Sequence, residues 1–191
     1  MELKVIRPIV LLFASFSITE KMKRNTYMGI SAIIDRGTAL ETRSSLPWTM
    51  DKLIQNASMF HGHLGPFLVL GLKAGLAAVE TLGRDPFKTR AIVETCLSPP
   101  RSCFLDGVQY ASGCTLGKGN IEVRESSCIS VLFIKAGKQL KLTLRDEVLA
   151  RIGIDMSSEE LEKLALDLSS RGYEELFEIK TCGITPSEPD E

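Results

Sequence analysis

The segment Pro66 to Leu82, PFLVLGLKAGLAAVETL, constrains the fold more than any other. Its seventeen residues are apolar almost all round, interrupted mainly by Lys73 and Glu80, and such a helix is buried on most sides. Pro66 suits the first turn, where its missing N–H costs nothing, and Gly83 follows the last apolar residue. Lys73 near the middle and a length just short of a span argue against a membrane crossing. The segment therefore reads as the central helix of a globular core. Gly71 and Gly75 lie one turn apart, allow another helix or strand to approach closely, and offer a possible dimer contact.

The elements around this helix are regular from Met50 onward. Asp51 is placed to cap a short helix carrying Leu53, Ile54, Ala57 and Phe60 on one face. Thr89 to Cys96, Ile121 to Val123, Ile129 to Lys135 and Leu140 to Leu144 read as strands, with turns at Gly117 to Asn120 and Ala136-Gly137-Lys138. Ser102 to Ser112 reads as a helix closed by Gly113. Near the C-terminus, Ser157 and Glu160 form a capping box, and Leu161, Leu164, Ala165 and Leu168 make one stripe before Gly172. Helix, strands, then helix predict an α+β fold: an antiparallel sheet with a buried central helix and a C-terminal helix.

Three segments follow from this reading. Residues 1–49 are an N-terminal extension, residues 50–180 a single domain, and residues 181–191 an acidic tail. In the first, Lys4 and Arg7 precede an apolar run from Pro8 to Ile18, which fits a signal-peptide hydrophobic region with Ser15 and Ser17 near a cleavage point. It equally fits a poorly ordered extension, or a functional chain that begins near Met28 or Met50. Five cysteines, an odd number without a Cys-x-x-Cys pair, favour the latter two and a reducing, cytoplasmic setting. The net charge is −1, with 23 basic and 24 acidic residues, so no general basic field exists to hold nucleic acid.

Two constellations carry chemistry. Both histidines of the chain stand in His61-Gly62-His63, just before the central helix. In an extended segment residues i and i+2 face the same way, so two imidazoles can converge on one ion; alternatively, one caps a helix and the other is exposed. The second constellation is Cys103, Asp106 and Gln109, followed by Gly113-Cys114-Thr115-Leu116-Gly117-Lys118-Gly119-Asn120. Its glycine spacing and the Gly after Lys118 fail the phosphate-loop pattern, which excludes that mode of ATP binding. Two readings stay open: an anion nest beside Lys118 that activates Cys114, or a hairpin turn in which Gly117, Gly119 and Asn120 supply positive φ and Cys114 is a small buried hydrophobe.

Taken in order, Phe60-His61-Gly62-His63-Leu64-Gly65-Pro66, the apolar helix with Gly71, Asp106-Gly107-Val108-Gln109 and the Gly113 to Asn120 segment resemble the FmdE family of formylmethanofuran dehydrogenase proteins. The resemblance covers about residues 50–145. It implies an α+β core, a tendency to form homodimers, and a cleft lined by the histidine motif and downstream cysteines that is often linked to zinc or another metal. On that basis His61, His63, Cys103 and Cys114 are the implied ligands of a divalent metal, zinc being best suited. Asp106, Gln109, Gly117, Lys118 and Asn120 are candidate substrate contacts, and Cys114 is the candidate catalytic thiol. The implied function is a metal-binding accessory or sensor protein. The alternatives are a small enzyme using Cys114 and Lys118 on an anionic substrate, and a docking component of a larger oxidoreductase. Two departures bear on this. The family commonly has Cys where this chain has Gly65, and of the cysteine-rich C-terminal segment of many members only Cys182 is present. Iron–sulfur ligation takes four cysteines in close runs, so this chain is not the catalytic component of the dehydrogenase.

Overall fold

The computed structural model describes residues 49–153 and 155–183, which belong to one compact unit, Ser44–Glu191. The apolar run Pro8 to Ile18 and the acidic residues Ser187 to Glu191 lie outside the described residues. In chain order the elements are α1 (Met50–His61), α2 (Pro66–Leu82), β1 (Arg90–Thr95), α3 (Cys103–Ser112), a 3-10 turn (Leu116–Lys118), β2 (Ile121–Glu125), β3 (Ser130–Lys135), β4 (Lys138–Leu144), α4 (Asp146–Ala150), α5 (Ser158–Ser170), α6 (Tyr173–Leu176) and β5 (Phe177–Cys182). They form an α+β domain with a five-stranded sheet in the order β2-β1-β3-β4-β5.

Alternation along the strands gives the sheet one apolar face. The register places Ala91, Phe133 and Leu140 in one row and Val93, Val131 and Leu142 in the next, all buried. The sheet is antiparallel except at one edge. There β1 and β2 run parallel, because they are joined through α3 and parallel neighbours need such a crossover. At the other edge β5 pairs with β4, with Phe177 opposite Leu144 and Ile179 opposite Leu142. No element is predicted after Gly172 from sequence, since the inward side of β5 carries only these two apolar residues. The strand also takes Thr181 and Cys182 out of the segment assigned to the tail.

The helix α2 is buried along fourteen of its seventeen residues, as its composition requires. Its one internal cation has a defined role. Lys73 Nζ donates to the carbonyls of Ser169 (3.2 Å) and Arg171 (2.5 Å) at the C-terminal end of α5 and lies 4.9 Å from the centre of the Tyr173 ring. A cation at a helix C-terminus satisfies carbonyls that have no intrahelical partner. Burial pulls the Lys73 ammonium below its ordinary value, offset in part by Glu80 and Glu175. The capping box at the other end of α5 is present: Glu160 N–H donates to Ser157 Oγ at 3.3 Å, and Ser157 N–H to the Glu160 carboxylate at 2.8 Å.

Two corrections concern helix ends and glycines. Thr49, not Asp51, caps α1, its Oγ1 accepting from Lys52 N–H at 3.4 Å, while Asp51 sits in the first turn. Gly71 and Gly75 are used inside the domain. A Cβ at Gly71 would overlap the Phe104 carbonyl oxygen, and one at Gly75 would meet Ala111 Cβ at 2.6 Å, so α2 and α3 pack backbone to backbone and no dimer contact is open at these glycines.

Candidate metal centre

The two histidines converge, but not through an extended segment. His61 is the last residue of α1, and Gly62 ends the helix in the left-handed conformation (φ 98°), its N–H donating to the Ser58 carbonyl at 2.8 Å. A glycine adopts this cap without a Cβ penalty. The turn brings His63 back beside His61, their ring centres 4.5 Å apart. Cys103, the first residue of α3, completes the group: one nitrogen from each histidine and the Cys103 sulfur all lie within 4.8 Å of one another.

One nitrogen of His61 is already assigned. Asp106 lies one turn beyond Cys103 on α3, and its Oδ2 is 2.7 Å from His61 Nδ1. A carboxylate only accepts, so Nδ1 carries the hydrogen and Nε2 of the neutral ring presents its lone pair. That Nε2 is buried and has no hydrogen-bond partner. Leaving such a group unsatisfied costs about 1–3 kcal/mol, which an incoming ligand removes. A carboxylate behind the imidazole of a metal ligand fixes the tautomer and strengthens the donor. From Asp106 the chain of contacts continues through Gln109, whose Nε2 is 3.5 Å from Asp106 Oδ1 and whose Oε1 accepts from Leu116 N–H at 3.0 Å. Asp106 and Gln109, read from sequence as substrate contacts, are thus placed to orient His61 and to tie α3 to the glycine-rich turn.

The other predicted site residues are not brought to this group. Cys114 is fully buried, its thiol 3.4 Å from the Thr89 carbonyl, and burial pushes that thiol up despite the Ser112 hydroxyl and Lys118. It packs in the hydrophobic core, separate from the His61, His63 and Cys103 group. The turn after it does not form an open nest. The N–H groups of Cys114, Thr115, Leu116, Lys118 and Gly119 donate to Ser112 Oγ, Asn120 Oδ1, Gln109 Oε1, Thr115 Oγ1 and the Leu116 carbonyl. Asn120 further donates to the carbonyls of Pro86 and Thr89, and Lys118 Nζ reaches Thr115 Oγ1 at 2.9 Å. Of the three residues expected at positive φ, Gly119 adopts it (66°) while Gly117 and Asn120 do not, and the turn leads into β2, parallel to β1, so it closes no hairpin; Cys114 is the small core residue that the turn reading expects. A Cβ built on Gly117 would meet nothing within 4 Å.

Burial and the Asp106 charge both raise the Cys103 thiol, so without a metal it stays protonated near neutral pH. Gly65 faces the same place: a Cβ there would stand 3.4 Å from His63 Nε2, and its extended φ of −147° admits any side chain. A cavity of about 450 Å³ opens beside the group, touching His63, Gly65 and Cys103. Its far wall comes from α4, the turn after it and α5, through Leu149, Ile152 and Leu161, and Arg101 and Cys96 complete it near the start of α3. Sequence reasoning did not find Arg101 or this wall. Leu161 appeared there only as one of a core-facing stripe, and no local pattern signals that α5 meets α3 across a cleft.

A two-layer domain that gathers two imidazoles and a thiol beside an apolar cleft belongs to the class of candidate metal-binding α+β proteins. The family model described as "FmdE, Molybdenum formylmethanofuran dehydrogenase operon" matches residues 60–181, more than half of the chain, and the chain belongs to that family. A tungsten formylmethanofuran dehydrogenase FmdE-like protein from Syntrophus aciditrophicus has the same fold, with a TM-score of 0.52 at 19% identity over 80% of this chain and 83% of that one. A protein of Archaeoglobus fulgidus described as a probable S-adenosyl-L-methionine-binding protein is 36% identical over 74 residues. That match takes in 38% of this chain and spans about a fifth of the relative's length, 20%. Among the described residues no helix is long and apolar enough to cross a membrane.

Proposed function

We propose that this chain is a metal-binding accessory or sensor member of its family, holding one divalent ion through His61 Nε2, His63 and Cys103. The observation that carries the reading is the buried, unpartnered Nε2 of His61, held in the donor tautomer by Asp106 and grouped with two further donors. Two nitrogens and one sulfur suit zinc, while nickel and iron accept the same donors. Three protein ligands would leave a coordination position open, and an ion held by His61, His63 and Cys103 would supply Lewis acidity there. Cys114 is not part of the ligand set in this reading, and its burial removes the support for a Cys114-centred enzyme.

The setting is a cytoplasmic one, supported by five free thiols among the described residues. The family description supports association with a larger oxidoreductase. A homodimer is supported by the resemblance and by Met59 and Phe60, exposed at 79% and 65% at the end of α1. The S-adenosylmethionine in the Archaeoglobus relative's name is not carried over, since among the described residues no carboxylate lines the cavity to hold a ribose diol or a sulfonium. The test is metal analysis of untagged protein after dialysis against a mild chelator. About one equivalent per chain is expected, falling in His61→Ala and His63→Ala; no stoichiometric metal in the parent protein would overturn the reading.

A further inference from the structure

The cavity beside the metal group has a composition that selects a ligand. Its volume, about 450 Å³, lies in the range of small-molecule sites, and its walls are mostly apolar, with Phe67, Leu149, Ile152 and Leu161 contributing. Among the described residues Arg101 is the one permanently charged side chain in the lining, and no Asp or Glu lines it. One guanidinium nitrogen of Arg101, Nη1, donates to the carbonyl of Ser127, a residue outside the lining, at 3.1 Å, which leaves the other N–H groups of the fork for a ligand. His63 and Cys103 mark the boundary toward the donor group.

From this we infer that the cavity binds a small carboxylate with an apolar body, its head between Arg101 and the metal group and its body against the wall formed by Leu149, Ile152 and Leu161. The inference rests on the metal reading for one of its two head-group contacts, while the Arg101 contact and the apolar wall stand apart from it. Charge selects the sign of the ligand. The Cys103 thiolate and the Asp106 carboxylate offset the divalent ion, so Arg101 sets the sign, and a guanidinium attracts an anion and repels an ammonium. Burial of the body sets its size, because each methylene covered tightens binding by about fourfold.

Metal content and ligand binding are measured on the same samples, with hexanoate and benzoate as probes and hexylamine and acetate as controls, by titration calorimetry. Hexanoate or benzoate should bind at least about tenfold tighter than hexylamine or acetate, the scale of one charge-assisted contact or a few buried methylenes. Arg101→Met should weaken hexanoate by about tenfold with metal content unchanged. Ile152→Trp, which fills the cavity, should abolish hexanoate binding while circular dichroism stays that of the parent. Protein that holds its metal but binds neither acid, or binds hexylamine equally well, overturns the inference and leaves the metal reading standing. Protein that holds no metal overturns the metal reading. If it still binds hexanoate in a manner dependent on Arg101 and Ile152, the cavity inference stands on its own; if it does not, both fall.

Discussion

Gly107→Ala tests whether the contact between α2 and α3 sets both the fold and the site. A Cβ at position 107 would overlap the Leu68 carbonyl oxygen and lie 2.6 Å from Leu72 N and 2.8 Å from Gly71 C. All three are backbone atoms, so no rotamer change relieves the contact. Restoring an ordinary separation of about 3.5 Å requires the helices to part by about 1 Å. Overpacking of this kind costs about 1–3 kcal/mol, and a clash with fixed backbone belongs at or above the upper end. Alanine returns about 1 kcal/mol through helix propensity. The expected net loss is about 2 kcal/mol, read as a lower urea midpoint with an unchanged slope. Since Cys103 and Asp106 ride on α3 while His63 and Gly65 lead into α2, the same displacement opens the donor group, and metal should leave faster under chelator. Gly117→Ala is the control, because its Cβ would meet nothing within 4 Å. A Gly107→Ala midpoint equal to that of Gly117→Ala would refute the reasoning.

Three further outcomes are expected. Gly65→Cys should slow metal loss to a chelator without altering the circular dichroism, since a side chain there starts 3.4 Å from His63 Nε2; equal loss from both proteins would mean that position 65 does not serve the metal. Asp106→Ala should lower metal affinity by about 10–100-fold while the domain stays folded, the usual effect of removing the carboxylate behind a ligating imidazole, and an unchanged affinity would count against the orienting role. The Ser130 hydroxyl, 2.6 Å from Glu94, and then Lys141 hold the Glu94 carboxyl below its ordinary value. Its contribution is therefore fully present above the unfolded value of about 4.3 and is lost as pH falls through the lower native one. The difference in urea midpoint between the parent and Glu94→Gln should shrink over that acid range, and a pH-independent difference would contradict the assignment.

Elements with strong local patterns were legible in the sequence. The all-round apolar run of α2, the capping box of α5 and the Gly113 end of α3 each depend on residues within a turn of one another. What escaped depends on distant partners. β5 acquires its strand character from pairing with β4, and the parallel β1–β2 edge from the α3 crossover. The site divides in the same way. His61-Gly62-His63 announced itself, yet the geometry that joins the imidazoles is a helix cap and not a strand. Cys103 and Cys114 are alike as letters in the sequence. Only the packing of α3 against α2 places the first beside the histidines and the second in the core. Asp106 was visible as a polar residue on α3, but its role follows from a contact across forty-five positions.

Cobalt(II) substitution tests the mixed nitrogen and sulfur centre most directly. A thiolate on cobalt gives an intense charge-transfer band in the near ultraviolet, and coordination number sets the strength of the visible bands. The account predicts a stoichiometric cobalt complex that shows the thiolate band in the parent protein and in Cys114→Ala, loses that band in Cys103→Ala, and is weakened in His61→Ala and His63→Ala. A parent protein without the thiolate band, or a band that survives Cys103→Ala and disappears in Cys114→Ala, would contradict the site described here.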